Sequence, residues 1–251
     1  MTNYATLAQT LQTALKLTLP PIAVSFTDNA PAHLPTPATQ QPAGCAFWEQ
    51  AAQGPLATSA KDHELCAVGV YTHNLADASP AYASELGSVL QVMANLEYVR
   101  AEDIALIPVL KQPTKQVVYA PLAETPLTPD VVLLFAHASQ GLIIAEAIQQ
   151  VEMDIPPALG RPACAVIPQV ANSGRAALSL GCCGARAYLD ALTDDSALWA
   201  LPGARIEQYV EKVEKLSKAN DLLTNFHTLR RHDVADGQTP TYGESLARLL
   251  G

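Results

Sequence analysis

The chain has 251 residues, with 15 Lys and Arg against 24 Asp and Glu, which gives a formal net charge of −9. Apolar residues make up 49% and charged residues 16%, a composition typical of globular proteins and unlike that of disordered chains. The net negative charge, with no run of Lys or Arg, argues against a nucleic-acid partner.

The first residues lack the basic region and apolar block of a signal peptide. No apolar run approaches the ~18 residues that span a bilayer, so we expect no membrane partner. These patterns predict a cytoplasmic protein. In that reducing compartment, five cysteines are expected to be free thiols, metal ligands or reactive groups rather than disulfides.

In chain order, the first half predicts three helices separated by strands and a stiff loop. Leucines at every fourth position begin the first helix, and four prolines stiffen the loop over 28–42. The predicted helices cover 3–17, 44–53 and 81–100. The predicted strands cover 22–26 and 66–71.

The second half continues the alternation of strands and helices. Its clearest strand is 131–136, an unbroken apolar run typical of a strand buried on both faces. The other predicted strands cover 104–110, 116–120, 163–170 and 176–180. The predicted helices cover 140–150, 185–192 and 206–229, followed by a polar loop over 232–243. No linker divides the chain, so 1–251 is predicted to form one α/β (or α+β) domain, a mixed sheet covered by helices.

Two cysteine-bearing segments are candidates for chemistry in the first half. The first segment contains Cys45 and Trp48. In the second, His63 precedes Cys66 by three positions, so both side chains would reach one metal ion if the segment turns. The 21-residue interval from Cys45 to Cys66 is not a zinc-finger spacing. The plain alternative is that both cysteines are small buried residues and that His63 lies on the surface.

The third segment lies where a predicted strand gives way to a helix. Gly181 and Gly184 bracket the thiols of Cys182 and Cys183, and glycine permits a tight turn with free backbone amides. At a helix start, the positive end of the helix dipole and the charge of Arg186 would stabilise the deprotonated form of the thiol. This thiolate is the form that binds metals or attacks electrophiles. We select Cys182 as functional and assign Cys183 to packing or support. A glycine-rich turn with incidental thiols is the equal alternative.

Cys164 falls within a predicted strand, where packing in the core is the simpler interpretation. Arg161 and Arg175 flank this region and are candidates for holding an anion. His137, directly after the buried strand, is a conceivable general base, although a histidine at a helix entry commonly has a structural role.

The order of these features resembles the prokaryotic domain-of-unknown-function family 169. The resemblance covers nearly the whole chain, and its glycine–cysteine–x–glycine–x–arginine segment is the most specific part. The matching segments are Pro21–Val24, Cys45 with Trp48 and Gly54, Cys66 with Gly69, 129–133, 160–165, 179–186 and 201–203. The resemblance implies a shared fold but names no reaction, and its motifs include Cys45, Cys66, Cys164 and Cys182 while omitting Cys183.

Four separated cysteines in such contexts predict a metal site, a [4Fe–4S] cluster rather than zinc, with a redox or cofactor-handling role. The ligands would be Cys45, Cys66, Cys164 and Cys182, with His63 as a substitute or support. Gly181, Gly184 and Arg186 would stabilise the cluster through hydrogen bonds to sulfur. A small molecule or a redox partner protein would then be the partner.

Two alternatives remain open at this point. The first is a thiol-dependent enzyme acting on a small anion, with Cys182 as nucleophile, Arg186 or Arg175 holding the anion, and His63 or His137 as base. The second is a metal-free ligand-binding or scaffold protein, in which the cysteines only pack.

Overall fold

The computed structural model describes residues 2–159 and 162–250. They form a seven-stranded mixed sheet with helices on both faces. The strands are β1 (Ile22–Thr27), β2 (Leu56–Ser59), β3 (Gln116–Pro121), β4 (Val131–His137), β5 (Ala158–Leu159), β6 (Ala177–Ser179) and β7 (Ser196–Pro202). The α-helices are α1 (Tyr4–Leu15), α2 (Ala46–Gln50), α3 (Ala67–Thr72), α4 (Pro80–Asn95), α5 (Ala138–Glu152), α6 (Val166–Ser173), α7 (Cys183–Tyr188), α8 (Ile206–Ala235) and α9 (Tyr242–Leu250). Short 3-10 helices cover Ala51–Gln53, Ala101–Leu106, Leu122–Glu124, Ala163–Ala165 and Gly203–Arg205. The predicted α/β class and mixed sheet are confirmed.

The strands lie in the order β2-β3-β1-β4-β7-β6-β5, and neighbours are antiparallel except for β5 and β6. The central strand β4 is the apolar run identified in the sequence, and six of its seven residues are buried. Its side chains alternate between the two faces, as the pleat of a strand requires. Val131, Leu133 and Phe135 belong to one core, and the residues between them belong to the other.

The two faces of the sheet therefore carry two separate cores. On the back face, α1, α5 and α8 contribute buried side chains to a core that includes Leu11, Leu134 and Ile144. On the front face, the short helices α2, α3, α6 and α7 cover a core that includes Trp48 and Tyr119. No helix in residues 2–159 and 162–250 combines the length and apolar character needed to cross a bilayer.

Three predicted strands are wrong. Residues 66–71 fall mainly in α3, residues 163–170 form a 3-10 helix followed by α6, and 104–110 contains the end of a 3-10 helix and no strand. In each case a short apolar run is compatible with a buried helix as well as with a buried strand, because periodicity does not separate the two at this length. Strand β7 was not predicted, although it pairs with β4 along its whole length.

The polar loop predicted over 232–243 is shorter than expected. Helix α8 continues to Ala235 and α9 begins at Tyr242, so only 236–241 is irregular. Contacts between the two helices explain the difference. Arg248 donates from Nη1 to both carboxylate oxygens of the buried Asp233, at 3.0 and 2.9 Å, and the Arg230 guanidinium lies 4.2 Å from the Tyr242 ring centroid. The proline-rich segment 28–42 is free of helix and strand, as predicted.

Candidate functional site

Four cysteines from four segments line one cavity of about 490 Å³ on the front face of the sheet. Cys45, Cys66 and Cys182 each lie directly before a short helix, at the N-caps of α2, α3 and α7. Cys164 lies in the 3-10 helix that leads into α6. Four cysteines up to 137 positions apart thus line one cavity, and Cys183, which the sequence reasoning assigned to packing or support, lines it as well.

Burial controls the state of three of these thiols. It raises the pKa of Cys45 to about 12, with the charges of Cys66 and Cys182 adding to the effect of burial. Burial also raises the pKa of Cys66, and it raises the pKa of Cys164 well above its usual range. Without a bound cation, these three groups are therefore neutral thiols at neutral pH.

The same four thiols act on one another electrostatically in every pairing. A charge on Cys66 or Cys182 raises the pKa of Cys45, and a charge on Cys182 raises that of Cys66. Cys164 responds to all three of the others. A cation placed among them would reverse this repulsion, because positive charge stabilises thiolates.

Polar groups are directed at three of the sulfur atoms. The Ala185 amide donates to Cys182 Sγ, and the Thr72 hydroxyl donates to Cys164 Sγ, both at 3.5 Å. Backbone hydrogen bonding from Gly44 and Gly69 lowers the pKa of Cys66 and so offsets part of the effect of burial. Such donors stabilise sulfur when it carries negative charge.

His63 lies behind the cysteines rather than on the cavity wall. Its ring is fully buried, Nε2 is 3.1 Å from Thr58 Oγ1, and Nδ1 has no hydrogen-bond partner within the described residues. A methyl group on Gly44 would approach Nδ1 to 2.5 Å, and one on Gly69 would meet both Nδ1 and Cys66 Sγ. The His63 ring therefore supports the backbone next to Cys66.

His73 is a cavity residue that the sequence reasoning missed. Its ring is 1% exposed and lines the cavity, and burial lowers its pKa to about 4. Neither ring nitrogen has a hydrogen-bond partner at normal distance in residues 2–159 and 162–250, although the Gly69 backbone is near enough to raise the pKa a little. A signal was available: Cys66 and His73 are seven positions apart, which is two turns of a helix, whereas the strand predicted over 66–71 ends before His73.

Some residues of the glycine–cysteine turn over 181–186 line the cavity, and others only hold the turn in shape. Gly184 lines the cavity, as does the exposed Cys183, which is therefore not a packing residue. Gly181 has φ of +90° and donates its amide to Ser179 Oγ at 3.0 Å. The Arg186 guanidinium donates to the carbonyls of Leu180, Thr193 and Ser196. Gly181 and Arg186 thus shape the turn and are not among the described residues that line the cavity.

The remaining candidates lie elsewhere in the described chain or outside it. Arg175 pairs with Asp154 and Glu152, and His137 Nδ1 is 3.4 Å from Asp195 Oδ1. Neither Arg175 nor His137 is among the described residues lining the cavity. Arg161 lies outside the described residues.

Within residues 2–159 and 162–250, no three His, Cys, Asp or Glu side chains are arranged to hold a single metal ion. A tetrahedral zinc site has Zn–S bonds of ~2.3 Å, so its sulfur atoms must meet within ~3.8 Å of one another. The described cavity cysteines form no such group of three or more ligands.

A family model described as uncharacterised ArCR, COG2043 matches residues 10–212. The chain belongs to the DUF169 family. The DUF169 match includes all five cysteines, His63, His73 and both faces of the sheet, and it ends within α8. No curated protein and no solved structure matches the chain.

Proposed function

We propose that this DUF169 protein binds a [4Fe–4S] cluster through Cys45, Cys66, Cys164 and Cys182 and has a redox or cofactor-handling role. The observation that carries the proposal is that these four thiols, from four segments, line one cavity and influence one another in every pairing. Cysteine thiolates are the usual ligands of such clusters.

We favour a cluster over a single zinc ion. A single ion requires its ligands to converge on one point, and no such group occurs in the described part of the chain. A [4Fe–4S] cluster instead takes each thiolate on a different iron, so its ligands surround a larger body. Four cysteines that line one cavity from four segments are compatible with the second requirement.

The surroundings of the sulfur atoms also support the proposal. When bound, a cluster of this type accepts and returns one electron. Each buried thiol releases its proton to solvent as it becomes a ligand, and the donors from Ala185 and Thr72 then face a sulfur with negative charge. Such hydrogen bonds adjust the reduction potential of the site.

The cytoplasm would keep these thiols reduced, and a small molecule or a redox partner protein would exchange electrons with the site. These statements rest on the proposed cluster.

Anaerobic reconstitution with iron and sulfide tests the proposal. We expect about four iron atoms per chain and a visible absorption spectrum, the properties of a [4Fe–4S] protein. Replacing Cys164 or Cys66 by serine should remove most of the iron. Cys183→Ser is the matched control, because Cys183 lies next to a proposed ligand but is exposed; it should retain the iron. Circular dichroism of each metal-free variant checks that it folds.

A colourless protein without iron and with all five thiols titratable would overturn the proposal. One zinc per chain would replace the cluster by a single-ion site. Equal iron contents in Cys164→Ser and Cys183→Ser would show that the iron is bound elsewhere.

Thiol-dependent catalysis at Cys182 is the second candidate, favoured by its partial exposure on the cavity wall. The proposed anion-holding residues give it less support, because Arg175 and Arg186 are engaged elsewhere. Selective alkylation of Cys182 near neutral pH would support this candidate. Equal, slow labelling of every cysteine would count against it.

A further inference from the structure

The wall of the cavity opposite the cysteines is apolar and belongs mainly to α4. Val89, Leu90 and Met93 line the cavity, and their spacing places them on one face of the helix. Yet α4 contains no buried residue. This is unusual for a 16-residue helix with an apolar face, because burial of that face is what normally holds such a helix on a protein.

His73 is a buried polar side chain on the wall of the same cavity. A buried imidazole without a hydrogen-bond partner is costly, since desolvation of each polar atom goes uncompensated. A ligand in the cavity that offered a donor or acceptor to His73 would remove this cost.

The charges around the cavity restrict what such a ligand carries. Glu85 and Asp103 line it, and no Lys or Arg does so within the described part of the chain. Arg100 donates to both carboxylate oxygens of Asp103 from outside the cavity lining, which leaves Glu85 as the carboxylate on the wall without an ion pair among the described residues. A carboxylate or phosphate entering the cavity would lose its hydration, meet the negative charge of Glu85 and find no cationic side chain among the described lining residues.

We propose that this cavity binds a neutral, mainly apolar small molecule with one hydrogen-bonding group, held between α4 and the cysteine wall with its polar group on His73. The volume of about 490 Å³ is within the ~300–1,000 Å³ common for small-molecule sites. This proposal names the class of ligand for the same site and rests on the proposed function, because the bound molecule would lie beside the proposed cluster.

Displacement of the neutral fluorophore 1-aminoanthracene provides the test, with 1-octanol and octanoate as competitors that differ in charge. The protein is used as purified and after reconstitution, with iron measured in both samples. We expect octanol to bind at least about tenfold more tightly than octanoate, the ratio that corresponds to 1.4 kcal/mol. Octanoate binding as tightly as octanol would overturn the proposed ligand class.

Two tryptophan variants of α4 locate the binding site. Val89→Trp fills the cavity and should weaken fluorophore binding more than about tenfold, because a large side chain then occupies the space of the ligand. Val92→Trp is the matched control, since Val92 is 57% exposed on the same helix and does not line the cavity; it should bind as the unmodified protein does. Equal binding by both variants would place the fluorophore elsewhere and overturn the inference.

His73→Phe tests the polar contact while keeping the ring volume. Octanol should bind up to about tenfold more weakly, the effect of one lost hydrogen bond, with fluorophore binding as a check that the cavity is intact. Unchanged octanol affinity would overturn the role of His73. Binding without iron would leave the ligand class standing and the cluster refuted, whereas iron without binding would do the reverse.

Discussion

The back face of the sheet carries three long helices, whereas the front face carries short helices whose first residues hold the cysteines. On the back, α1, α5 and α8 bury their apolar faces against the strands and against one another. On the front, α2, α3 and α7 have only five or six residues each. Above them, α4 borders the cavity without burying any residue.

The two faces therefore differ in helix length, although buried side chains form a core on each of them. Long amphipathic helices bury the most apolar surface per element, and burial of apolar surface is the main source of folding free energy. Short helices bury less, but each begins at a turn, and turns bring residues from distant segments to one place. The front face therefore combines a core with a cavity lined by thiols.

Matched leucine truncations on the two faces should show the largest contrast. Leu11→Ala, in α1, should lower the free energy of unfolding by about 4 kcal/mol, because it leaves a hole in the fully buried back core. Leu90→Ala, in α4, should lower it by less than about 1 kcal/mol, because Leu90 is only half-buried. Urea unfolding followed by circular dichroism measures both. Equal losses would show that α4 belongs to the folding core.

Acid should destabilise the front face through its buried histidines. The unfolded chain binds a proton on His73 below pH ~6.5, whereas the folded metal-free protein does not until about pH 4, so stability is lost as pH falls between these values. The expected loss is about 3 kcal/mol for His73, and His63, whose pKa is also lowered by burial, adds to it.

Urea unfolding of the metal-free protein at several pH values measures this loss. His73→Phe should reduce the dependence on pH, and His33→Phe, at an exposed position, serves as the control. An unchanged slope in His73→Phe would contradict the assignment.

Alkylation rates should rank the thiols within the front face itself. In the metal-free protein, exposed Cys183 should react with iodoacetamide more than about 100-fold faster than Cys164, because burial both blocks access to Cys164 and disfavours its thiolate. Mass spectrometry of digested samples gives the rate at each position, and labelling in urea should equalise the rates. Similar rates in the folded protein would mean that the front face opens on the labelling timescale.

Prediction from sequence succeeded best where one pattern had a single interpretation. The run over 131–136 is a buried strand and the leucine spacing over 3–17 is a helix, as expected. It failed at 66–71 and 163–170, where short apolar runs are helical. The first error concerns the site, because the helix α3 that was predicted as a strand has Cys66 as its N-cap and His73 as its C-cap.

The candidate site divides in a similar way. Motif context alone selected four cysteines, all of which line the cavity, but it set Cys183 apart although Cys183 lines the cavity as well. The same context assigned Gly181 and Arg186 to the site, although both serve the turn that carries Cys182. A glycine or an arginine in a motif has the same sequence signal whether it contacts a ligand or the backbone, so only coordinates separate the two roles.

The sequence by itself determined the α/β class, the central strand, the family and which cysteines lie in family-like motifs. Each of these depends on local composition, periodicity or motif. Only the tertiary structure decided that all five cysteines line one cavity, that His73 lines it without a hydrogen-bond partner among the described residues, and that α4 borders this space without burying a residue. These features depend on contacts between segments far apart in the chain, and such contacts are set by the packing of the whole sheet rather than by any local pattern.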